Sequence, residues 1–294
     1  MGKRKDKKMK INLPERNKIK KKQLIIYISI MVVCIICVIV AFYVQFYARI
    51  DLGRLVGMAR EQEFGQKTEE QTDALETEFD QIFTNSLTNL EGQGENKKAD
   101  DSKELVYVDM ERKETKLNSY DIEVHIPKIN IDNPIIDEYN QDIQSFIDKT
   151  NEVLESENQN IIYTVDYVAN IQEDILSLMI RSNLKEGSNA QRVIIETYNY
   201  DLRNNKEISL EEVLAIEYVD KNEVQNRIDT KIAEEQRQVE DLKELGYNIY
   251  NRDTSSEQYK VENSNYFYLT DNVLYIIYPY GNENYTSEMD LVII

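Results

Sequence analysis

Cysteine is almost absent from this chain. Of 294 residues, only Cys34 and Cys37 carry a thiol, and both fall inside a run with no charged residue. Everything after residue 48 is cysteine-free, so no disulfide staples it and its stability has to come from a packed core. The Cys34/Cys37 spacing matches a redox or zinc pair. In an apolar helix the working thiolate is costly, so the two cysteines read as small apolar residues on one helix face. Histidine is scarcer still, with His125 alone. In Ile122-Glu123-Val124-His125-Ile126 the apolar residues alternate with polar ones, which places His125 on the solvated face of a strand. One exposed histidine and no available thiol leave no Ser-His-Asp or Cys-His nucleophile system, and no zinc site of the usual His and Cys type. There is no EF-hand loop, P-loop or dinucleotide fingerprint. Catalytic residues, metal ligands and cofactors are therefore assigned to none. Paired carboxylates are plentiful, with 52 acidic residues beyond the uncharged run, but at that density almost any spacing occurs and none points to a hydrolase.

Charge is missing altogether from Gln23 to Ala48, 26 residues reading QLIIYISIMVVCIICVIVAFYVQFYA. A bilayer core of roughly 30 Å needs about 20 apolar residues as a helix, so this run spans it with some tilt. The run has no polar face, and no small-residue pair marks a cleavage site after it. It reads as an uncleaved signal anchor. The 22 residues before it hold 11 Lys or Arg against Asp6 and Glu15, a net of +9. By the positive-inside rule this tail (residues 1–22) is cytoplasmic and the rest extracytoplasmic. Anionic lipid headgroups account for the basic tail, which makes membrane lipid the expected partner there and excludes a nucleic-acid role. The whole chain is at −19, so the remainder carries −28, which favours encounter with cationic partners.

Beyond the anchor, residues 49–90 read as a helical stalk. Leu75, Phe79, Ile82, Phe83, Leu87 and Leu90 recur at three or four, a stripe that packs on the following domain or pairs two stalks. Residues 91–103 are polar and Gly-containing, a linker. Residues 104–294 then form the extracytoplasmic domain, with a division into two subdomains near 190–205 left open. Strands are expected at 104–112, 120–126, 163–170, 174–181 and 192–200. Ile136, Tyr139, Ile143, Ile147 and Leu154 give a helix over 136–154. Ser209-Leu210-Glu211-Glu212 is a capping box that starts a short helix to about Ala215. Val224, Ile228, Ile232, Val239 and Leu242 stripe a longer helix over 219–245, stopped by Gly246. Strands at 265–270, 272–278 and 288–294 close the chain, the first two joined by an Asp271-Asn272 turn. The expected class is α+β, mainly antiparallel strands with packed helices, preceded by one transmembrane helix and a helical stalk.

Three stretches in this order carry a resemblance. Ile126-Pro127-Lys128-Ile129-Asn130 precedes a helix; Tyr198-Asn199-Tyr200-Asp201-Leu202 leads through Lys206 to Ile208-Ser209-Leu210-Glu211-Glu212-Val213-Leu214; Phe267-Tyr268-Leu269-Thr270 opens a hairpin closing in Tyr278-Pro279-Tyr280. Together, over about Tyr120 to Ile294, the chain resembles the extracytoplasmic domain shared by RsiV-type lysozyme-responsive anti-sigma proteins and the N-terminal region of bacterial peptidoglycan deacetylases. The resemblance implies a bacterial cell-surface setting and a lysozyme-like protein or peptidoglycan as ligand. The short basic tail differs from a segment that holds a sigma factor, and no catalytic deacetylase domain with metal-binding histidines is present.

Tyrosine is abundant, 20 against 7 Phe and no Trp. Tyr163 and Tyr167 alternate along a strand and read as structural. Tyr278, Pro279, Tyr280 and Gly281 form the candidate binding loop: tyrosine offers a rigid face with a polar tip, and proline limits the entropy lost on docking. The expected function is a non-enzymatic, single-pass envelope protein whose outer domain binds a protein or cell-wall glycan. The alternatives are a membrane signalling regulator of the anti-sigma type and a carboxylate-based envelope hydrolase. Nothing in the sequence sets the oligomeric state.

Overall fold

Strict alternation builds the first hairpin. In β2 (Tyr120–Ile129), Tyr120, Ile122, Val124 and Ile126 point into the core while Asp121, Glu123 and His125 point away. β1 (Val106–Lys116) pairs with it antiparallel, and the register shifts between Val108 and Met110, beside Pro127. Proline has no N–H to give the ladder, and a bulge absorbs the irregularity. This computed structural model describes residues 79, 81–83, 90, 97–156, 160–247, 249–270, 273–281 and 288–294. The expected anchor at Gln23–Ala48, the basic tail, most of the stalk and the Asp271-Asn272 turn lie outside them. Among the described residues no helix is long and apolar enough to cross a membrane.

Helix α1 (Pro134–Glu155) follows. Asn133 caps it by accepting from the Ile135 N–H, and Pro134 sits in the first turn, where its missing N–H costs nothing. Ile136, Ile143, Phe146 and Val153 form its buried stripe, each contributing about 2 kcal/mol by leaving water. The stripe lies on β2 and β3. A helix crossover lets β2 and β3 (Ile161–Gln172) pair in parallel, from Tyr120 opposite Ile161 to Val124 opposite Val165. β4 (Ile175–Glu186) and β5 (Arg192–Asp201) then add as an antiparallel meander. The β3–β4 turn is two residues, Glu173 and Asp174, both in the left-handed region at φ 50° and 67° without a glycine. Arg203 Nε donates to Asp174 Oδ2 at 3.1 Å, and Leu202 N–H donates to the Asp174 carbonyl at 2.8 Å, which hold this turn in place. β6 (Lys206–Glu207) pairs with only Tyr200 and Asp201 of β5. The six strands lie in sequence order.

The capping box forms as the sequence indicates: Glu212 N–H donates to Ser209 Oγ and Ser209 N–H to Glu212 Oε2, starting α2 (Leu210–Ile216). α3 (Lys221–Glu244) is capped by Asp220. It ends at Gly246, φ 93°, where Tyr247 N–H reaches back to the Leu242 carbonyl. After two short 3-10 turns, β7 (Phe267–Thr270), β8 (Val273–Tyr280) and β9 (Glu288–Ile293) make a second, antiparallel sheet. The whole is α+β.

Both faces of this second sheet are buried. Leu269, Leu274, Ile276 and Val292 pack on α2 and α3 through Val213, Ile228 and Ile232. Tyr268, Tyr275, Ile277 and Ile293 pack with Met179 and Ile195 of the first sheet and with the helical residues Phe79, Ile82 and Phe83. Part of the stripe read from the stalk thus lies against the domain.

Side chains tie the two sheets together. Among the described residues the outer edge of β7 has no strand neighbour, yet its backbone groups at Phe267 and Leu269 are satisfied. Leu269 N–H donates to Ser177 Oγ at 3.1 Å, and Asn170 Nδ2 donates to the Leu269 carbonyl at 3.1 Å. Asn199 Nδ2 donates to the Phe267 carbonyl at 2.9 Å, and Phe267 N–H to Thr197 Oγ1 at 3.3 Å. Asn170, Ser177 and Asn199 are buried, so this ladder works without competing water. β9 is fixed by Arg252, buried and paired in fork geometry with Asp290 through Nε–Oδ2 and Nη2–Oδ1 contacts of 2.5 Å each.

Candidate functional site

A groove lies on the α1 side of the six-stranded sheet. α1 covers β2 and β3 but stops short of β5, so the even-numbered residues of β4 and β5 line a cleft of about 680 Å³ with α1 as one wall. Asp142, Ser145 and Lys149 come from α1, at the three- and four-residue spacing that puts them on one helix face. Tyr163 comes from β3, Ser182 from β4, and Arg192, Ile194, Glu196 and Tyr198 from successive same-face positions of β5. The floor is firm: the Tyr139 and Tyr198 rings meet at 5.0 Å, and Tyr139 Oη donates to the Asn199 carbonyl at 3.2 Å.

The chemistry of the groove is set by groups without partners. Tyr163 and Ser182 are each only 2% exposed and Tyr198 7%. Among the described residues, none of their three hydroxyls makes a hydrogen bond, and neither does the Asp142 or Glu196 carboxylate or the Arg192 guanidinium. Arg192 Nε is shut off from water with nothing to donate to. Buried polar groups are normally paired, because each orphan costs about 1–3 kcal/mol. Among the described residues Arg192 Nε is the one such orphan lining the cleft; the other hydroxyl and carboxyl groups are reached by solvent, and together they offer polar contacts to a ligand.

Burial raises the Glu196 carboxyl above the usual range, and the nearby Asp142 charge adds to this. Burial also pushes the Tyr163 and Tyr198 phenols up, so both keep their protons at neutral pH and stay donors. The groove offers hydroxyl donors at its floor, carboxylate acceptors at one end, and Arg192 with Lys149 at the other. That set suits a ligand rich in hydroxyl, amide or amine groups. It also holds two carboxyl groups, Glu196 half-buried and Asp142 exposed.

The tyrosine segment singled out in the sequence sits elsewhere. Tyr278, Pro279 and Tyr280 are not a loop but the last residues of β8, paired with Asp290, Met289 and Glu288 of β9. Tyr278 is 3% exposed, its ring against Tyr259 and its hydroxyl 2.6 Å from Ser264 Oγ. Burial raises its pKa. It is a core residue because strand alternation turns it toward α3. Tyr280 lies over the Arg252 guanidinium at 3.7 Å and donates to the Tyr250 carbonyl at 3.0 Å; Pro279 is exposed; Gly281 takes φ 108°. Only Pro279, Tyr280 and Gly281 stay near the surface. His125 is on the outer face as expected, its Nδ1 3.0 Å from Asp166 Oδ1. Among the described residues no cluster of His, Cys, Asp or Glu is arranged to hold a metal.

The sequence reads Tyr163 as a structural strand residue and singles out none of the others as a site, because the groove residues converge from α1, β3, β4 and β5. The one available signal was the pair of polar positions, Arg192 and Glu196, on the same face of a strand whose neighbours are apolar.

No family model and no curated protein matches the chain. Solved structures give a distant likeness. A DUF3298 family protein from Pseudomonas aeruginosa PAO1 is 13% identical, with 64% of this chain and 86% of that one covered at a TM-score of 0.35. A DUF3298 family member from Bacteroides fragilis is also 13% identical, with 60% and 80% covered at 0.30.

Proposed function

We propose that this chain is a single-pass bacterial envelope protein, anchored by Gln23–Ala48, whose outer α+β domain binds a cell-wall glycan or a protein in the α1–β5 groove. The observation that carries the reading is the convergence of the Tyr163, Tyr198, Ser182, Glu196 and Arg192 polar side chains on one cleft, with Arg192 Nε buried and without an acceptor among the described residues. The sequence adds the charge-free run with its basic flank, and the motif order that resembles RsiV-type and deacetylase-associated domains. Binding is by hydrogen bonds from the floor and by the carboxylates, with the tyrosine rings supplying apolar area. The test is calorimetric titration of the detergent-solubilised chain with peptidoglycan fragments and with a basic lysozyme-like protein. Binding to either that Tyr198→Phe and Glu196→Gln each weaken about tenfold, a loss of about 1.4 kcal/mol, supports the groove. Saturating titrations with no heat from either ligand overturn it.

A second reading, an envelope hydrolase, has one observation in its favour: Glu196 is raised by burial beside Asp142. In that case Glu196 is the acid and Asp142 the second carboxyl group of the pair. Release of reducing ends from cell-wall glycan, abolished by Glu196→Gln, would establish it; undiminished release would remove it. The anti-sigma alternative requires recovery of a cytoplasmic factor through residues 1–22.

A further inference from the structure

The two edges of the six-stranded sheet are built differently. β1, at one edge, carries six charged residues among its 11, the usual guard against edge-to-edge pairing. β5, at the other, pairs with β6 only at Tyr200 and Asp201. The Asn199 carbonyl accepts from Ile208 N–H, so the odd-numbered residues of β5 turn their backbone groups away from β4. Among the described residues, no hydrogen bond is made by the backbone N–H or C=O of Val193 or Ile195 on that outer side. Between these two, Ile194 is 37% exposed.

We propose that β5 pairs antiparallel with β5 of a second copy of this chain, about a two-fold axis through Ile194. Three features of the strand fit that register. A two-fold axis at Ile194 places Val193 opposite the second copy's Ile195, and these are the residues whose N–H and C=O point outward, so they exchange hydrogen bonds in both directions. The same register places Arg192 opposite Glu196 of the second copy, twice. Both side chains are on the groove face, opposite in charge, and without an ion pair among the described residues. A register shifted by one residue would turn Val193 and Ile195 out of hydrogen-bond phase, and a parallel pairing would not set Arg192 against Glu196. At the axis, the exposed Ile194 meets its own copy. The sheet becomes continuous across the axis, and the open side of each groove is closed by the other's. The pairing draws Arg192 and Glu196 into ion pairs and leaves the Tyr163, Ser182 and Tyr198 hydroxyls to a ligand of the groove.

The experiment uses the full chain in detergent, with Cys34→Ser and Cys37→Ser removing the native thiols. Ile194→Cys places two thiols at a directly opposed, non-hydrogen-bonded pair. Mild oxidation is then expected to give disulfide-linked dimer about tenfold above Val108→Cys on the exposed β1 edge. Dimer no more abundant than in that control overturns the proposal. In the Ile194→Cys background, Arg192→Glu and Glu196→Arg each set like charges opposite one another and are expected to cut the linked dimer about tenfold. The double variant restores the pairing. Failure of the double variant to recover what either single loses also overturns it, and its recovery shows that neither single acts by unfolding the domain.

Discussion

β7 and β5 face the same problem and solve it differently. Each is an edge strand with a row of backbone groups turned away from its one strand neighbour. At β7 the row is capped from the first sheet by Ser177, Asn170, Asn199 and Thr197. At β5 it is left bare at Val193 and Ile195 among the described residues. The groove repeats the contrast in side chains: the Tyr278 hydroxyl in the core has Ser264, while those of Tyr163 and Tyr198 in the groove have no partner among the described residues. The difference teaches where the fold closes on itself and where it is held open. An edge capped by buried amides is structural. An edge and a groove left polar and unpaired are where the molecule meets something else.

Breaking the closed side should cost most. Arg252→Met strands Asp290 as an unpaired buried charge, and urea denaturation should show a loss of about 3–5 kcal/mol. The double change Arg252→Met with Asp290→Leu should recover most of it. Asn199→Ala removes the donor to the Phe267 carbonyl and the partner of Ser177 Oγ, 2.5 Å away. It should cost about 2–4 kcal/mol, read the same way. Tyr278→Phe, which removes the buried bond to Ser264 Oγ but leaves that hydroxyl donating to the Lys260 carbonyl, should cost about 1 kcal/mol, whereas Tyr198→Phe should be near neutral for stability because its hydroxyl has no bond among the described residues to lose. Should Tyr198→Phe prove as costly as Tyr278→Phe, the contrast between core and groove fails.

The smallest effects lie on the open side. Val193→Pro deletes an N–H with no partner among the described residues and should change monomer stability by less than about 1 kcal/mol, since proline is tolerated where an edge N–H faces outward. Glu196→Gln should give a pH signature. Burial raises the folded Glu196 pKa above its unfolded value, so the ionised form weakens the fold. The native chain loses stability as pH rises through that raised pKa; the glutamine variant does not. Denaturation curves should coincide at about pH 3.5, below the ordinary glutamate range, and separate in favour of Glu196→Gln at about pH 7. A variant less stable than the native chain at neutral pH would mean that Glu196 is paired after all.

Much of this architecture is legible in the sequence. The capping box at Ser209–Glu212, the α1 stripe from Ile136 through Ile143, and the alternation in β2 and β3 specify their elements locally, and local signals survive into the fold. The parallel β2–β3 pairing was not legible, since it depends on α1 folding back as a crossover rather than on any short-range pattern. Tyr278-Pro279-Tyr280 misled because Pro-Tyr-Gly reads as a turn. β8 instead continues to Tyr280, with β9 beyond it and the Pro279 side chain outward. The groove was hidden for the same reason as the β2–β3 pairing: Asp142 and Glu196 are 54 positions apart, and among 52 acidic residues that proximity has no signature in the chain.

Amide hydrogen exchange, measured residue by residue on the full chain over a range of protein concentrations, sets the two edges side by side. Phe267 and Leu269 should be protected at every concentration, because their N–H groups are bound within the chain. Val193 and Ile195 should exchange quickly when dilute and become protected as concentration rises. Equal protection of all four at every dilution, or rapid exchange at Val193 and Ile195 however concentrated the sample, would contradict the distinction between a closed edge at β7 and an edge at β5 open to a second copy.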